Sequence, residues 1–406
     1  MSHGHWTEVA RSVGLLAPDG AVASTIFAEM SALAQRTGAI NLGQGFPDVD
    51  GPQHLKDAAV AAIQGGDNQY PPGPGVPAML DAVAAHQRRC YGLEVDPRTE
   101  VLVTAGATEA LAATVLALAG PGDEVVTLEP YYDSYAAAIA LTGAVHRTIP
   151  LRPTPGGFRL DPADVEAAFS SRTRLLLVNT PHNPTGTVLT REELAVLADA
   201  AVAHDALVVT DEVYEHLTYD GAAHVPMATL PGMAARTVTI SSAGKSLSFT
   251  GWKVGWLHAR ADLVTAIRTV KQFLTYVASG PFQHAVAVGL LDEDGRTGAY
   301  VASLAASLQE RRDLLAGALA EAGFAPVTPR GTYFVVADGA PLGYPDGVDL
   351  CRELPERAGV VGVPVSAFCT PGGPVAEELR SYVRFTYVKE RATLERAAAG
   401  LARLRG

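Results

Sequence analysis

Between about residues 100 and 260, short apolar runs alternate with polar loops and with longer stretches of helical spacing. Runs too short for a helix and bounded by polar or glycine-rich turns suit strands buried on both faces. Their alternation with helical segments predicts a mainly parallel sheet joined by crossover helices. The expected strands are 101–104, 125–128, 175–178, 207–210 and 237–240. Helical apolar spacing covers 109–119, 161–169 and 191–203, with Pro162 after Asp161 and Glu192-Glu193 after Thr190 as start signals. A long helix is expected over 296–322, followed by alternating segments at 331–336 and 383–387 that suit a smaller antiparallel or mixed sheet. Residues 1–46 are too irregular to fold alone and are expected to pack with the C-terminal part. The predicted fold class is α/β, with a large domain over 47–290, a small α+β domain from 1–46 and 291–406, and a cleft between them.

The composition narrows the function classes. A chain of 406 residues, 48% hydrophobic, has the length of about two to three compact units and material for a large core. Lys and Arg number 31 against 43 Asp and Glu, a formal net charge of -12 without long like-charge runs, which argues against a nucleic-acid surface or an anionic membrane. The longest apolar stretch, 110–119, stops at Gly120-Pro121-Gly122, and the first residues hold no apolar core of signal-peptide length. A cytoplasmic location is expected. Cys90, Cys351 and Cys369 are widely separated and match neither a disulfide framework nor a metal spacing, so reduced, structural cysteines and no metal are expected.

In open α/β sheets ligands bind beyond the carboxyl ends of the strands, so the residues following each strand carry the candidate chemistry. After 101–104 come Ala105-Gly106-Ala107-Thr108, a small-residue turn into a helix whose N–H groups and dipole favour a phosphate. After 125–128 comes the aromatic loop Glu129-Pro130-Tyr131-Tyr132-Asp133-Ser134-Tyr135, where one ring can lie on a planar heteroaromatic or simply pack. After 175–178, Pro181 and Pro184 bracket Asn183 and restrict its backbone. After 207–210 comes Asp211, a carboxylate whose burial is costly unless it is paired, with Tyr214 close behind. After 237–240 comes Ser241-Ser242-Ala243-Gly244-Lys245, followed by Gly251-Trp252-Lys253. Desolvation and a neighbouring cation can pull an amine from ~10.4 toward ~7–8, where it can form a Schiff base. A phosphate cradle, an aromatic plate, an amide, a carboxylate and an amine together are what pyridoxal phosphate requires.

With these groups in place the chain resembles the fold type I pyridoxal-phosphate aminotransferases of class I/II, nearly end to end. The most specific matches are Asn41-Leu42-Gly43-Gln44-Gly45-Phe46-Pro47-Asp48, Asn183-Pro184-Thr185-Gly186, Asp211-Glu212-Val213-Tyr214, and Ser242-Ala243-Gly244-Lys245 with Gly251-Trp252-Lys253. Within the family, Asn68-Gln69-Tyr70-Pro71-Pro72-Gly73-Pro74-Gly75, Leu342-Gly343-Tyr344 and Val365-Ser366-Ala367-Phe368-Cys369 look most like an actinobacterial N-succinyldiaminopimelate aminotransferase group. Kynurenine, glutamine and methionine aminotransferases are the broader relatives.

The resemblance implies a role for each matching position. Lys245 forms the Schiff base with the cofactor and shuttles the proton at the substrate Cα. Asp211 keeps the pyridine nitrogen protonated, Asn183 and Tyr214 bond the ring oxygen, and Tyr132 stacks on the ring. Gly106, Ala107, Thr108, Ser242 and Lys253 hold the phosphate, joined by Tyr70 from the partner subunit of an obligate homodimer. Arg384 pairs with the substrate carboxylate, Gly45 closes over it, and Phe27 meets the substrate side chain. Thr108 and Ala278-Ser279 stand where aromatic-preferring relatives carry aromatic surface, which tilts the substrate toward an aliphatic or acylated amino acid. The implied reaction moves an amino group between an L-amino acid and 2-oxoglutarate, with N-succinyl-LL-2,6-diaminopimelate as leading donor. A broad methionine, glutamine or kynurenine aminotransferase and a cysteine-conjugate β-lyase are the alternatives.

Overall fold

A computed structural model describes residues 4, 6–16, 20–154 and 156–405. Of the segments assigned above to the small domain, residues 1–3, 5, 17–19 and 406 lie outside the described residues. Eight strands form the central sheet, in the order Val101–Thr104, Gly255–His258, Thr237–Ser242, Leu207–Asp211, Thr173–Asn179, Glu124–Glu129, Val145–Thr154, Gly157–Leu160. Four neighbouring pairs, from Thr237–Ser242 across to Val145–Thr154, run parallel, so their carboxyl ends share one edge. The three strands at its centre carry the apolar runs and are buried on both faces over nearly their whole length, as those runs require.

All five expected strands form, and each reaches at most a few residues beyond the apolar run. Thr173–Asn179 and Leu207–Asp211 take in Asn179 and Asp211 because backbone pairing continues past the last apolar side chain, aligning those two residues across the strands. The sheet is mainly parallel, as expected, with antiparallel pairing at both sides, where Gly157–Leu160 runs antiparallel to Val145–Thr154 at one of them. Gly255–His258, which lacks a flag in the apolar pattern, lies between Val101–Thr104 and Thr237–Ser242 and is antiparallel to both. The segment joining it to Thr237–Ser242 coils into the short helices Ala243–Ser246 and Thr250–Trp252, so it turns the chain back instead of carrying it across a sheet face.

Helix Arg191–Ala203 carries a capping box, with Thr190 and Glu193 each bonding the other's backbone N–H. Helix Pro162–Ala168 is capped by the Asp161 side chain. Toward the C-terminus, helix Arg296–Ala322 leads into a four-stranded antiparallel sheet, order Ala325–Val327, Phe334–Asp338, Tyr382–Thr386, Val363–Pro364. The strand expected from 331 starts only at Phe334, because Thr332 adopts a left-handed backbone with φ of 65°. Ile40–Asn41 pairs in parallel with Val360–Val361, which ties the N-terminal segment to the C-terminal one. No helix among the described residues is long and apolar enough to cross a membrane.

Candidate active site

The common edge of the parallel strands opens into a cavity of about 480 Å³. Its walls include Phe27, Gly45, Gly106, Ala107, Thr108, Tyr132, Asn183, Asp211, Tyr214, Ser242, Lys245, Lys253 and Arg384, which are the sequence candidates with one exception. Tyr70 lies elsewhere. It is 81% exposed and packs edge-on against Tyr276, with ring centroids 5.4 Å apart.

The turn after Val101–Thr104 is built by backbone demands. Gly106 has φ of 79°, and a Cβ there would lie 3.1 Å from Lys253 Nζ. Glu109 reaches back to accept the N–H of Ala105, and Thr104 Oγ1 donates to the Gly106 carbonyl. The turn rests directly on Gly255, where a Cβ would stand 2.4 Å from Gly106 C and 2.6 Å from Ala107 N. Only glycine at 255 lets the two backbones approach this closely. Sequence reasoning passed over Gly255, because nothing local distinguishes it from other glycines.

Asp211 is buried at the end of its strand and takes a 2.7 Å hydrogen bond from the Tyr135 hydroxyl. Burial pushes its carboxyl above the usual carboxylate range, against that hydrogen bond and the nearby Lys245 amine. Such a group gains from a cationic N–H partner. Tyr135, one turn along helix Asp133–Thr142 from Tyr132, was named only as part of an aromatic cluster, and its link to Asp211 arises from packing between elements. The Tyr132 ring stands perpendicular to that of Tyr135 at 5.7 Å, and burial pushes its hydroxyl up to about 12.

Lys245 Nζ donates a 3.0 Å hydrogen bond to Tyr333 Oη, which in turn donates to the Gly45 carbonyl at 2.6 Å. The amine also lies 5.5 Å from the Tyr214 ring centroid. Tyr333 thereby ties the N-terminal segment to the amine. A Cβ at Gly45 would come within 2.3 Å of Phe334 and 2.7 Å of Tyr333, so the glycine is required for that approach.

Arg384 is buried on strand Tyr382–Thr386. It donates through Nη1 to Asn183 Oδ1 and through Nη2 to the Gly43 carbonyl, each at 2.8 Å. Its guanidinium lies between the rings of Phe334 and Phe368, at 4.0 and 4.4 Å, with Phe27 at 5.9 Å. Two of its five N–H donors are used, and Nε has no hydrogen-bond partner. Burial lowers its pKa to about 10, and a buried cation with free donors is a receptor for a carboxylate. The register that pairs Arg384 with Val336 puts Phe334 on the same face one diagonal away. Phe334 and Phe368 were not recognised as site residues, since only the register and the fold of the following segment bring them to Arg384.

Asn183 is fixed from behind. Its N–H bonds Asn179 Oδ1 at 2.7 Å, and Asn179 Nδ2 bonds the Asp211 carbonyl at 2.8 Å. The backbone at Asp211, the Asn179 and Asn183 amides and the Arg384 guanidinium are therefore linked in series. The chemical content of the site is an amine, an acid in need of a cation and a free carboxylate receptor facing one space.

Comparison with known proteins bears on this site. The family model for aminotransferase class I and II matches residues 37–401. A Mycobacterium tuberculosis protein named probable N-succinyldiaminopimelate aminotransferase is 52% identical over 94% of this chain and 96% of its own length. The solved structure of N-succinyldiaminopimelate aminotransferase from that organism superimposes with a TM-score of 0.90, covering 94% of this chain and 97% of that one. Escherichia coli methionine aminotransferase is 40% identical over 94% of this chain and 96% of its own. Mouse kynurenine–oxoglutarate transaminase 3 is 39% identical over 92% of this chain and 86% of its own.

Proposed function

The chain belongs to the class I and II aminotransferases, and from that premise we propose that it moves the amino group of N-succinyl-LL-2,6-diaminopimelate to 2-oxoglutarate on pyridoxal phosphate, in lysine biosynthesis. The observation that carries the reading is the buried Arg384 with its unpartnered Nε in the same cavity as Lys245 and Asp211. Similarity to the M. tuberculosis enzyme supports the choice of donor.

The donor set fits the cofactor. Asp211, pushed up by burial, is suited to hold a protonated ring nitrogen. Tyr132 would cover one ring face, and Asn183 with Tyr214 would hold the ring oxygen. Gly106, Ala107 and Thr108 at the start of helix Ala107–Leu118, with Ser242 and Lys253, would receive the phosphate. When bound, pyridoxal phosphate supplies a conjugated ring that accepts the electron pair left at the substrate Cα. Arg384 orients the α-carboxylate through its free N–H donors. Gly45 closes beside it and Phe27 borders the side chain. Lys245 Nζ takes up the proton lost from Cα, while Tyr333 Oη at 3.0 Å aims the amine.

The same reading makes the enzyme a cytoplasmic homodimer. Tyr70 and Phe273, 81% and 82% exposed, and the half-exposed Tyr276 and Leu274 are exposed apolar side chains that a second copy would cover, carrying Tyr70 to the partner's phosphate.

Gly255→Ala tests the phosphate turn. The methyl group meets backbone, which cannot yield as a side chain tip does, and overpacking of ~1–3 kcal/mol is expected. Cofactor affinity should weaken about ten- to hundredfold, measured by titrating the apoenzyme with pyridoxal phosphate. The donor is tested by single-turnover conversion of the cofactor to its pyridoxamine form. N-Succinyl-diaminopimelate should react with the highest kcat/KM in a panel with glutamate, methionine, glutamine and kynurenine. Faster reaction with methionine or kynurenine would move the assignment to those aminotransferases. Pyruvate release from a cysteine conjugate without added oxo acid would identify the β-lyase.

A further inference from the structure

Behind the loop that carries Lys245 lies a second cavity of about 320 Å³, lined by His86, Cys90, Glu215 and His216, among others, and sharing Ser242 with the first. His86 and Cys90 stand one helical turn apart on helix Pro77–Tyr91 and so occupy one face. His216 reaches them from just beyond strand Leu207–Asp211, 130 residues from His86 in sequence. The Nε2 atoms of the two imidazoles are 2.9 Å apart, and one donor atom from each of His86, Cys90 and His216 lies within 4.8 Å of the other two. Two neutral imidazoles meeting Nε2 to Nε2 share a single proton, and a metal ion can take its place once that proton shifts to the ring's own Nδ1.

We propose that His86, Cys90 and His216 form a binding site for a divalent transition metal of the zinc class. Two imidazole nitrogens and a thiolate are the borderline-soft donor set that zinc and its neighbours favour. Tetrahedral bonds of ~2.0–2.3 Å place ligand atoms roughly 3.3–3.6 Å apart. The imidazoles therefore separate by a few tenths of an ångström, while the Cys90 rotamer closes. The thiol proton leaves to solvent and the shared proton moves from Nε2 to Nδ1 of the same ring, so both imidazoles bind as neutral rings with no change of oxidation state.

Two neighbouring observations support the site independently. The Gln87 amide is buried beside His86, with Nε2 3.4 Å from His86 Nδ1 and Oε1 without a partner. Rotating that amide presents Oε1 to Nδ1–H, the outer hydrogen bond that fixes the tautomer with a free lone pair on Nε2. The buried Glu215 carboxylate lies 4.0 Å from His216 Nε2 and accepts Ser241 Oγ at 2.6 Å and Tyr91 Oη at 2.5 Å. It supplies local negative charge for a cation. Arg89 also lines the cavity; its guanidinium donates to the carbonyls of Leu290 and Leu291 and lies beside the Cys90 thiol, a contact that metal binding would replace. The wide cysteine spacing hid this site, because the third ligand comes from a distant strand end.

The test uses thiol accessibility. Cys351 and Cys369 are buried and Cys90 is exposed, so Ellman's reagent should modify one thiol per native chain of the chelator-treated holoenzyme. One equivalent of Zn²⁺ should slow that reaction at least about tenfold, and Co²⁺ should give a visible d–d spectrum. His216→Ala should lose both effects, as should Cys90→Ser for the spectrum. If His216→Ala does not fold, the Cys90→Ser comparison with Co²⁺ decides. An unchanged rate with Zn²⁺, equal protection in His216→Ala, or an unaltered Co²⁺ spectrum in Cys90→Ser overturns the site. None of these readouts depends on catalysis, so failure here leaves the aminotransferase reading standing.

Discussion

Replacing Lys245 with alanine is expected to lower turnover by about 10⁴-fold or more, because the variant loses both the covalent attachment and the proton carrier at the substrate Cα. The fold should persist. Lys245 contributes one side-chain hydrogen bond, to Tyr333, and Tyr333 keeps its bond to the Gly45 carbonyl. The cradle proposed for the phosphate, Thr108, Ser242 and Lys253, is untouched, so pyridoxal phosphate should still bind. Borohydride reduction separates attachment from binding. In the wild type it should fix the cofactor to the peptide containing Lys245, visible by mass spectrometry after denaturation, and the alanine variant should show no adduct. Lys253 lines the same cavity, which makes the mapping informative. An adduct on Lys253, or a Lys245→Ala enzyme with normal turnover, would exchange the roles of the two lysines.

Asp211→Asn should cost roughly a thousandfold in kcat, about 4 kcal/mol of barrier, with little loss of stability. Asparagine matches the carboxyl in size and still accepts the 2.7 Å hydrogen bond from Tyr135. What disappears is the negative charge available to keep a ring nitrogen protonated, and with it the ring's capacity to accept electrons. The burial that pushes this carboxyl upward means that little water is present to substitute for the lost charge. The measurement is single-turnover kinetics with glutamate, alongside thermal denaturation. A variant with kcat within a factor of a few of the wild type would show that Asp211 is only a structural link between Tyr135 and its strand. Unfolding of the variant would show that the charge serves the fold, and Tyr135→Phe would then separate the hydrogen bond from the charge.

Several features of this architecture were legible from local pattern. Helices Arg191–Ala203 and Arg296–Ala322 have the boundaries expected from apolar spacing, with the capping box of Thr190 and Glu193 visible as residue types. The Lys245 loop was legible only together with the groups after the other four strands, since a lysine in a small-residue loop suits a surface position equally well. Asp211 stood out because an acid at the end of a buried strand needs a partner. Gly255–His258 was not legible. It is a short edge of the pattern whose direction is set by how the preceding loop coils.

The sequence by itself determined which groups stand at the strand ends, and parallel strands necessarily deliver their carboxyl ends to one edge. That is why Thr108, Tyr132, Asn183, Asp211 and Lys245 share a cavity. Only the tertiary structure decided what each group touches. Tyr135 on Asp211, Tyr333 between Lys245 and Gly45, the phenylalanines around Arg384, and Cys90 with His86 and His216 all join elements far apart in the chain. Local periodicity fixes the face on which a side chain lies. Register and packing between elements, which carry no local signature, fix its neighbours.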